Sequence, residues 1–101
     1  MNLKIADMAE HATHASDLLR TLANSHRLMI VCRLIEQDQC VGGLADDLGL
    51  QQALVSQHLA VLRRQRVVQA TREGQAVRYR LVSGPAREIV ETLAANFCPR
   101  R

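Results

Sequence analysis

Three cysteines and six crowded arginines are the side chains most able to do chemistry in this chain: Cys32, Cys40 and Cys98, with Arg63, Arg64, Arg66, Arg72, Arg78 and Arg80. The opening residues Met1-Asn2-Leu3-Lys4 hold no hydrophobic signal core, so a reducing, cytoplasmic setting is expected. There an odd number of cysteines argues against a disulfide framework and leaves thiol chemistry, metal binding or plain burial. The six arginines are the whole basic complement of residues 51–80, with Glu73 the lone acid among them. That concentration suits a polyanion, and it suits a solvated face as well. His11 and His14 stand at i, i+3 on a helical pattern; two ligands without a third make a weak metal site, and they read as surface histidines. No nucleophile with a base and an orienting partner, no glycine-rich phosphate loop and no carboxylate pair in a cleft can be traced. Asp46 and Asp47 read as a solvated face. Neither an enzyme nor a cofactor is expected.

The chain behind these side chains is 101 residues long, 48% hydrophobic and 23% charged, enough for one globular domain over 1–101 and too little for two. No apolar run approaches the ~20 residues that span a bilayer, so no membrane partner is expected. Residues 1–50 carry 4 basic and 7 acidic side chains, a balance of −3, while residues 51–101 carry 9 and 3, a balance of +6. A polyanion would therefore meet one surface only. Aromatic residues make up 2% of the chain, Tyr79 and Phe97, which excludes the ring-stacking used to hold single strands.

Periodicity supplies the elements. Ile5, Met8, Ala12, Ala15, Leu19 and Leu22 follow a 3, 4, 3, 4, 3 spacing, one narrow apolar stripe on a helix over about 5–22. Its flanks are polar, so the stripe is expected to pair with a second copy of the chain. Asn24 caps a second helix over about 25–36, apolar all round through Leu28-Met29-Ile30-Val31-Cys32 and so expected at the centre of the fold. A polar connection over 37–43 leads to a short helix over about 43–48, ended by Gly49. On the next helix, about 51–65, Leu54, Val55, Leu59, Val61 and Leu62 fall on one half of the wheel. Gln52, Ala53, Ser56, Gln57, Ala60, Arg63 and Arg64 fall on the other, a set of short and hydrogen-bonding side chains able to approach base edges and phosphates. Two β-rich runs, 67–71 and 76–81, flank Arg72-Glu73-Gly74-Gln75 and predict a hairpin. A last helix opens at Pro85, carries Ile89, Val90, Leu93, Ala94 and Phe97, and stops at Cys98-Pro99. The order predicts a mainly α winged helix-turn-helix with about five helices and a two-stranded wing.

At this point the sequence resembles the ArsR/SmtB winged-helix repressors. The resemblance rests on Leu22 to Leu28, on Leu44-Ala45-Asp46-Asp47-Leu48-Gly49-Leu50, on Val55-Ser56-Gln57-His58-Leu59 through Arg63, and on the wing, Arg72-Glu73-Gly74 followed by Tyr79-Arg80-Leu81. It covers about residues 18–98. It implies a homodimer that binds double-stranded operator DNA and lets go when an inducer binds or reacts. Gln52, Ser56 and Gln57, with Arg63 and Arg64, are then expected to address DNA, and Arg72 and Gln75 to meet flanking backbone or minor groove. His58 belongs to the same motif, but its wheel position lies on the apolar half, so packing is expected there as much as contact. Ile5, Met8, Ala12, Ala15, Leu19 and Leu22, with Leu93 and Phe97 of the last helix, are expected at the dimer interface.

Comparison with the family's sensor sites narrows the inducer. Where metalloid-sensing members carry C-V-C, this chain has Cys40-Val41-Gly42, one thiol instead of two. Where zinc sensors carry Asp and His along the last helix, residues 85–98 contain neither. The pair Cys32 and Cys98 is similar to that of the BigR/SqrR-like branch, which responds to persulfides. The resemblance thus implies a Cys32–Cys98 switch driven by reactive sulfur species, with a metal- or metalloid-responsive repressor using Cys32, Cys40 and histidines as the alternative. Where the branch often has a capping Ser, this chain has Gln51, so the DNA-reading helix is expected to begin less sharply. Cys98-Pro99 also matches a short haem-regulatory pattern that is common by chance, and no haem is expected.

Overall fold

Capping and turn chemistry set most of the boundaries in the computed structural model, which describes residues 4–98. The first helix, α1 (Ile5–Leu22), starts at Lys4 without a side-chain cap and places Asp7 in its first turn. In α2 (Ser25–Glu36) the Asn24 side chain accepts from the Arg27 N–H, as its residue type predicts. Gln39–Cys40 form a two-residue strand, β1, and α3 (Val41–Leu48) follows at once. Gly49 closes α3 in the left-handed region, φ 66°, its N–H turned back to the carbonyls of Ala45 and Asp46. After α4 (Gln52–Arg64) come β2 (Val68–Glu73), β3 (Ala76–Leu81) and α5 (Gly84–Phe97), the last capped by Ser83, whose side chain accepts from the Ala86 N–H.

The strands form one antiparallel sheet in the order β1-β3-β2, with Cys40 opposite Arg78 and Val68 opposite Leu81. Ile30, Val31 and Leu34 of α2 are buried, and around them close Leu44 of α3, Val55, Leu59 and Leu62 of α4, Val67, Val68, and Ala86 and Val90 of α5. Each large aliphatic side chain withdrawn from water in this way contributes about 1.5–3 kcal/mol. Arg33 ties α2 to α3 through Asp47 (Nη2 to Oδ2, 2.9 Å), and Gln39 donates to the same carboxylate oxygen at 2.9 Å.

The expected order of helix, helix, short helix, helix, hairpin and helix is the order found. Four local features differ. The connection 37–43 contains β1, which no alternating pattern announces because it exists only where β3 offers it a partner. The short helix starts at Val41, with Gly42 and Gly43 inside its first turn; a Cβ on Gly43 would collide with the Gln39 side chain. The hairpin is tighter than the sequence suggests: β2 runs on through Glu73, so only Gly74 and Gln75 turn the chain, with Gly74 at φ 62°. The second helix, apolar all round in sequence, leaves Met29 half exposed. Pro99 of the haem-type pattern and the first three residues lie outside the described residues.

Candidate nucleic-acid interface and thiol pair

Burial sorts α4 into two faces. Val55, Leu59 and Leu62 are fully buried, while Gln52, Ala53, Ser56, Gln57, Ala60, Arg63 and Arg64 are all exposed. Because α3 and its left-handed stop at Gly49 deliver the chain into α4 at a fixed angle, the exposed face stands out from the body as the second helix of a helix-turn-helix. Gln51 contributes no side-chain cap, so the first N–H groups of α4 are left to other partners. The small residues Ala53, Ser56 and Ala60 keep this face low, and the amide, hydroxyl and guanidinium groups around them supply hydrogen bonds in both directions.

His58 belongs to the other side. It is half-buried against α2, where Arg27 Nη1 lies 3.3 Å from its Nδ1 and the His26 ring meets it edge-on at 5.4 Å. A guanidinium has only donors, so the imidazole nitrogen accepts. Burial, then the charge of Arg27, then His26 hold its pKa below the ordinary 6.5. Arg27 in turn donates from Nε to the Thr21 carbonyl at 2.6 Å. The structure therefore places His58 in the joint between α2 and α4 and not on the exposed face with Gln57. Sequence reasoning did not single out Arg27, and no spacing rule links a residue of one helix to a histidine 31 positions on.

The arginines separate in the same manner. Arg78 bonds Glu73 Oε1 at 3.0 Å and the Asp38 carbonyl at 3.2 Å, and Arg80 bonds Gln69 at 3.0 Å. Arg63, Arg64 and Arg72 make no ion pair among the described residues and are exposed. Arg72 and the exposed Gln75 sit at the end of the hairpin, the wing of the fold.

Of the three free cysteines, Cys32 is half-buried and packs on the core from α2, while Cys98 caps α5 and is exposed. Burial pushes the Cys32 thiol up, and the nearby Cys98 charge pushes it further, ahead of Glu36. Cys32 lies on α2 and Cys98 ends α5, two helices in contact, and the charge of Cys98 is felt at Cys32. Cys40 is elsewhere: its Sγ accepts from the Gly43 N–H at 3.4 Å, capping α3, and it lies opposite Arg78 in the sheet. No three His, Cys, Asp or Glu side chains gather as a metal-binding group among the described residues.

On α1 the stripe Ile5, Met8, Ala12, Ala15 and Leu19 is exposed, Ile5 at 87%, and Leu93 and Phe97 of α5 are exposed with it, Phe97 at 80%. Leu22 departs from the stripe. It is 3% exposed and part of the chain's own core, because α1 meets α2 at that end; it offers no surface to a second copy.

A bacterial regulatory protein model, the arsR family, matches residues 24–70, from the α2 cap into β2. The biofilm growth-associated repressor of Xylella fastidiosa is 38% identical over 92 residues, covering 91% of this chain and 81% of the relative. The transcriptional activator HlyU of Vibrio cholerae is 39% identical over 98 residues, 97% of this chain and 89% of HlyU. Among solved structures, the transcriptional repressor BigR from Xylella fastidiosa superposes with a TM-score of 0.89 at 36% identity, covering 97% of this chain and 100% of that one.

Proposed function

This chain belongs to the arsR family of bacterial regulatory proteins, and from that premise we propose that it is a homodimeric repressor released from operator DNA when a reactive sulfur species joins Cys32 to Cys98. Family membership makes it a DNA-binding transcription regulator, not an enzyme. In the proposed complex α4 enters the major groove with Gln52, Ser56 and Gln57 toward base edges, Arg63 and Arg64 toward the backbone, and Arg72 and Gln75 along the flanking backbone or minor groove. The exposed apolar residues Ile5, Met8, Leu19, Leu93 and Phe97 favour burial against a second copy. A twofold dimer would set its two reading helices roughly 34 Å apart, one turn of DNA.

What supports this inducer is that Cys32 and Cys98 belong to two helices in contact within one protomer, with the charge of one felt at the other, while Cys40 caps α3. Cys98 is the exposed thiol of the pair and Cys32 the one whose ionisation is opposed, so Cys98 attacks first. Its thiolate takes the outer sulfur of an organic persulfide, RSSH, expelling RS⁻ and leaving Cys98–S–SH. The Cys32 thiolate then attacks the sulfur bonded to Cys98 and expels HS⁻, giving a disulfide; the two thiols are oxidised and the persulfide is reduced. If Cys98–S–S⁻ first takes sulfur from a second persulfide, the same attack one atom further out leaves a trisulfide. A longer bridge tolerates a gap too wide for a plain disulfide, which requires Cα atoms within ~7 Å.

Intact mass and peptide mapping after organic persulfide test this chemistry. The expected result is a reductant-sensitive Cys32–Cys98 bridge within one chain, carrying zero, one or more added sulfurs. A bridge that always includes Cys40, or mass that never changes, contradicts it.

A further inference from the structure

Arg66 is the single non-glycine residue with a positive φ among the described residues, at 61°. The turn accounts for the backbone: Arg66 N–H donates to the Arg63 carbonyl at 3.0 Å and Val67 N–H to the Leu62 carbonyl at 2.9 Å, closing the end of α4. A left-handed residue there is what a helix stop requires, and glycine meets the requirement without the steric penalty of a Cβ. Nothing in the turn calls for a guanidinium. That of Arg66 makes no ion pair among the described residues.

The side chain instead borders a cavity of about 410 Å³ between the last turn of α4 and β2, lined by Arg63, Arg66, Gln69 and the flanking Val68, Ala70 and Val82. No carboxylate lines it. Gln69 accepts from Arg80 at 3.0 Å, so its side-chain oxygen is already engaged and its amide N–H groups are the donors left over. β2 is an edge strand, and alternate N–H groups of an edge have no ladder partner. Two guanidinium forks and a free amide N–H supply donors there, beside a strand edge that presents both N–H and C=O groups. With no carboxylate opposed to them, these donors make a seat for an oxyanion. The cavity also has a direction. Gln52, Ser56, Ala60 and Arg63 follow one another up a single exposed stripe of α4, and the cavity continues that stripe at its C-terminal end.

We propose that this cavity holds a backbone phosphate of duplex DNA, with Arg66 as its principal ligand, an inference that rests on the DNA-binding reading given above. The strained backbone at Arg66 is kept because a glycine would lose the contact.

Arg66→Gly therefore separates stability from binding. The variant is expected to unfold at an equal or higher denaturant concentration than wild type, because the left-handed strain is relieved. Its Kd for a labelled duplex near 100 mM salt should rise roughly fivefold to tenfold, and the slope of log K against log salt should fall by about 1 per protomer. Arg66→Lys, which restores the charge and keeps the strain, should recover the salt slope. A second arm titrates inorganic phosphate into the free protein and follows the arginine Nε–H resonances by NMR; Arg66 should shift saturably in wild type. An Arg66→Gly variant with unaltered affinity and slope, or one that is less stable than wild type, overturns the proposal alone. Wild-type protein that takes up phosphate but ignores every duplex overturns the DNA reading and, with it, the occupant proposed here.

Discussion

The two cysteines of the proposed switch are chemically unequal. Cys32 is half-buried with its pKa raised, first by burial and then by Cys98, whereas Cys98 sits exposed at the end of α5. Since the thiolate is the reactive form, brief alkylation of the reduced protein near neutral pH should label Cys40 and Cys98 well before Cys32. Peptide mapping reads the order, and early labelling of Cys32 would reverse the assigned sequence of attack. His58 supplies a second residue-scale test. Its pKa is held below 6.5 in the folded chain by burial, Arg27 and His26. As pH falls through 6.5 the unfolded chain therefore takes up its proton first. The stability tied to a neutral His58 is complete above that value and declines as pH drops toward the folded pKa. Urea midpoints from about pH 7.5 down to about pH 5 should fall less steeply for His58→Gln than for wild type; parallel curves would show that His58 is not the group responsible.

At the scale of elements, stability and legibility follow the same physical lines. Gly49 stands at φ 66° with nothing within 4 Å of an added Cβ, so Gly49→Ala should cost about 1–2 kcal/mol from backbone strain alone. Leu62→Ala, at a fully buried site of α4, should cost about 2–5 kcal/mol. Both are read from urea unfolding, and a smaller loss at Leu62 than at Gly49 would mean that Leu62 is not a packed part of the core. The faces of α4 were legible because a helix exposes its period in sequence, and Asn24, Gly49 and the hairpin because each turn demands a particular residue type. β1 was not, since two residues carry no period and the strand forms by pairing with β3. Leu22 keeps the stripe's spacing yet turns into the core, because spacing fixes a face of a helix and not what that face meets. For His58 the motif pointed to DNA and the wheel position to packing, and the sequence alone did not decide between them; it packs against Arg27 and His26.

Over the whole molecule, association is proposed for the exposed apolar surface on α1 and α5, and DNA binding for the arginine-bearing face of α4 and the wing. The first assignment is checked by sedimentation: wild type should run as a dimer at micromolar concentration, and Phe97→Glu should shift it toward monomer by placing a charge on an 80% exposed apolar site. A wild-type monomer would contradict the dimer. The central claim, that sulfur joins Cys32 to Cys98 and so releases DNA, is tested most directly by fluorescence anisotropy on a duplex selected by the reduced protein from a random library. Organic persulfide should abolish binding by wild type and by Cys40→Ser and leave Cys32→Ser and Cys98→Ser bound, with reductant restoring the wild-type complex. Release that persists in Cys32→Ser and Cys98→Ser, or that disappears only in Cys40→Ser, would contradict it.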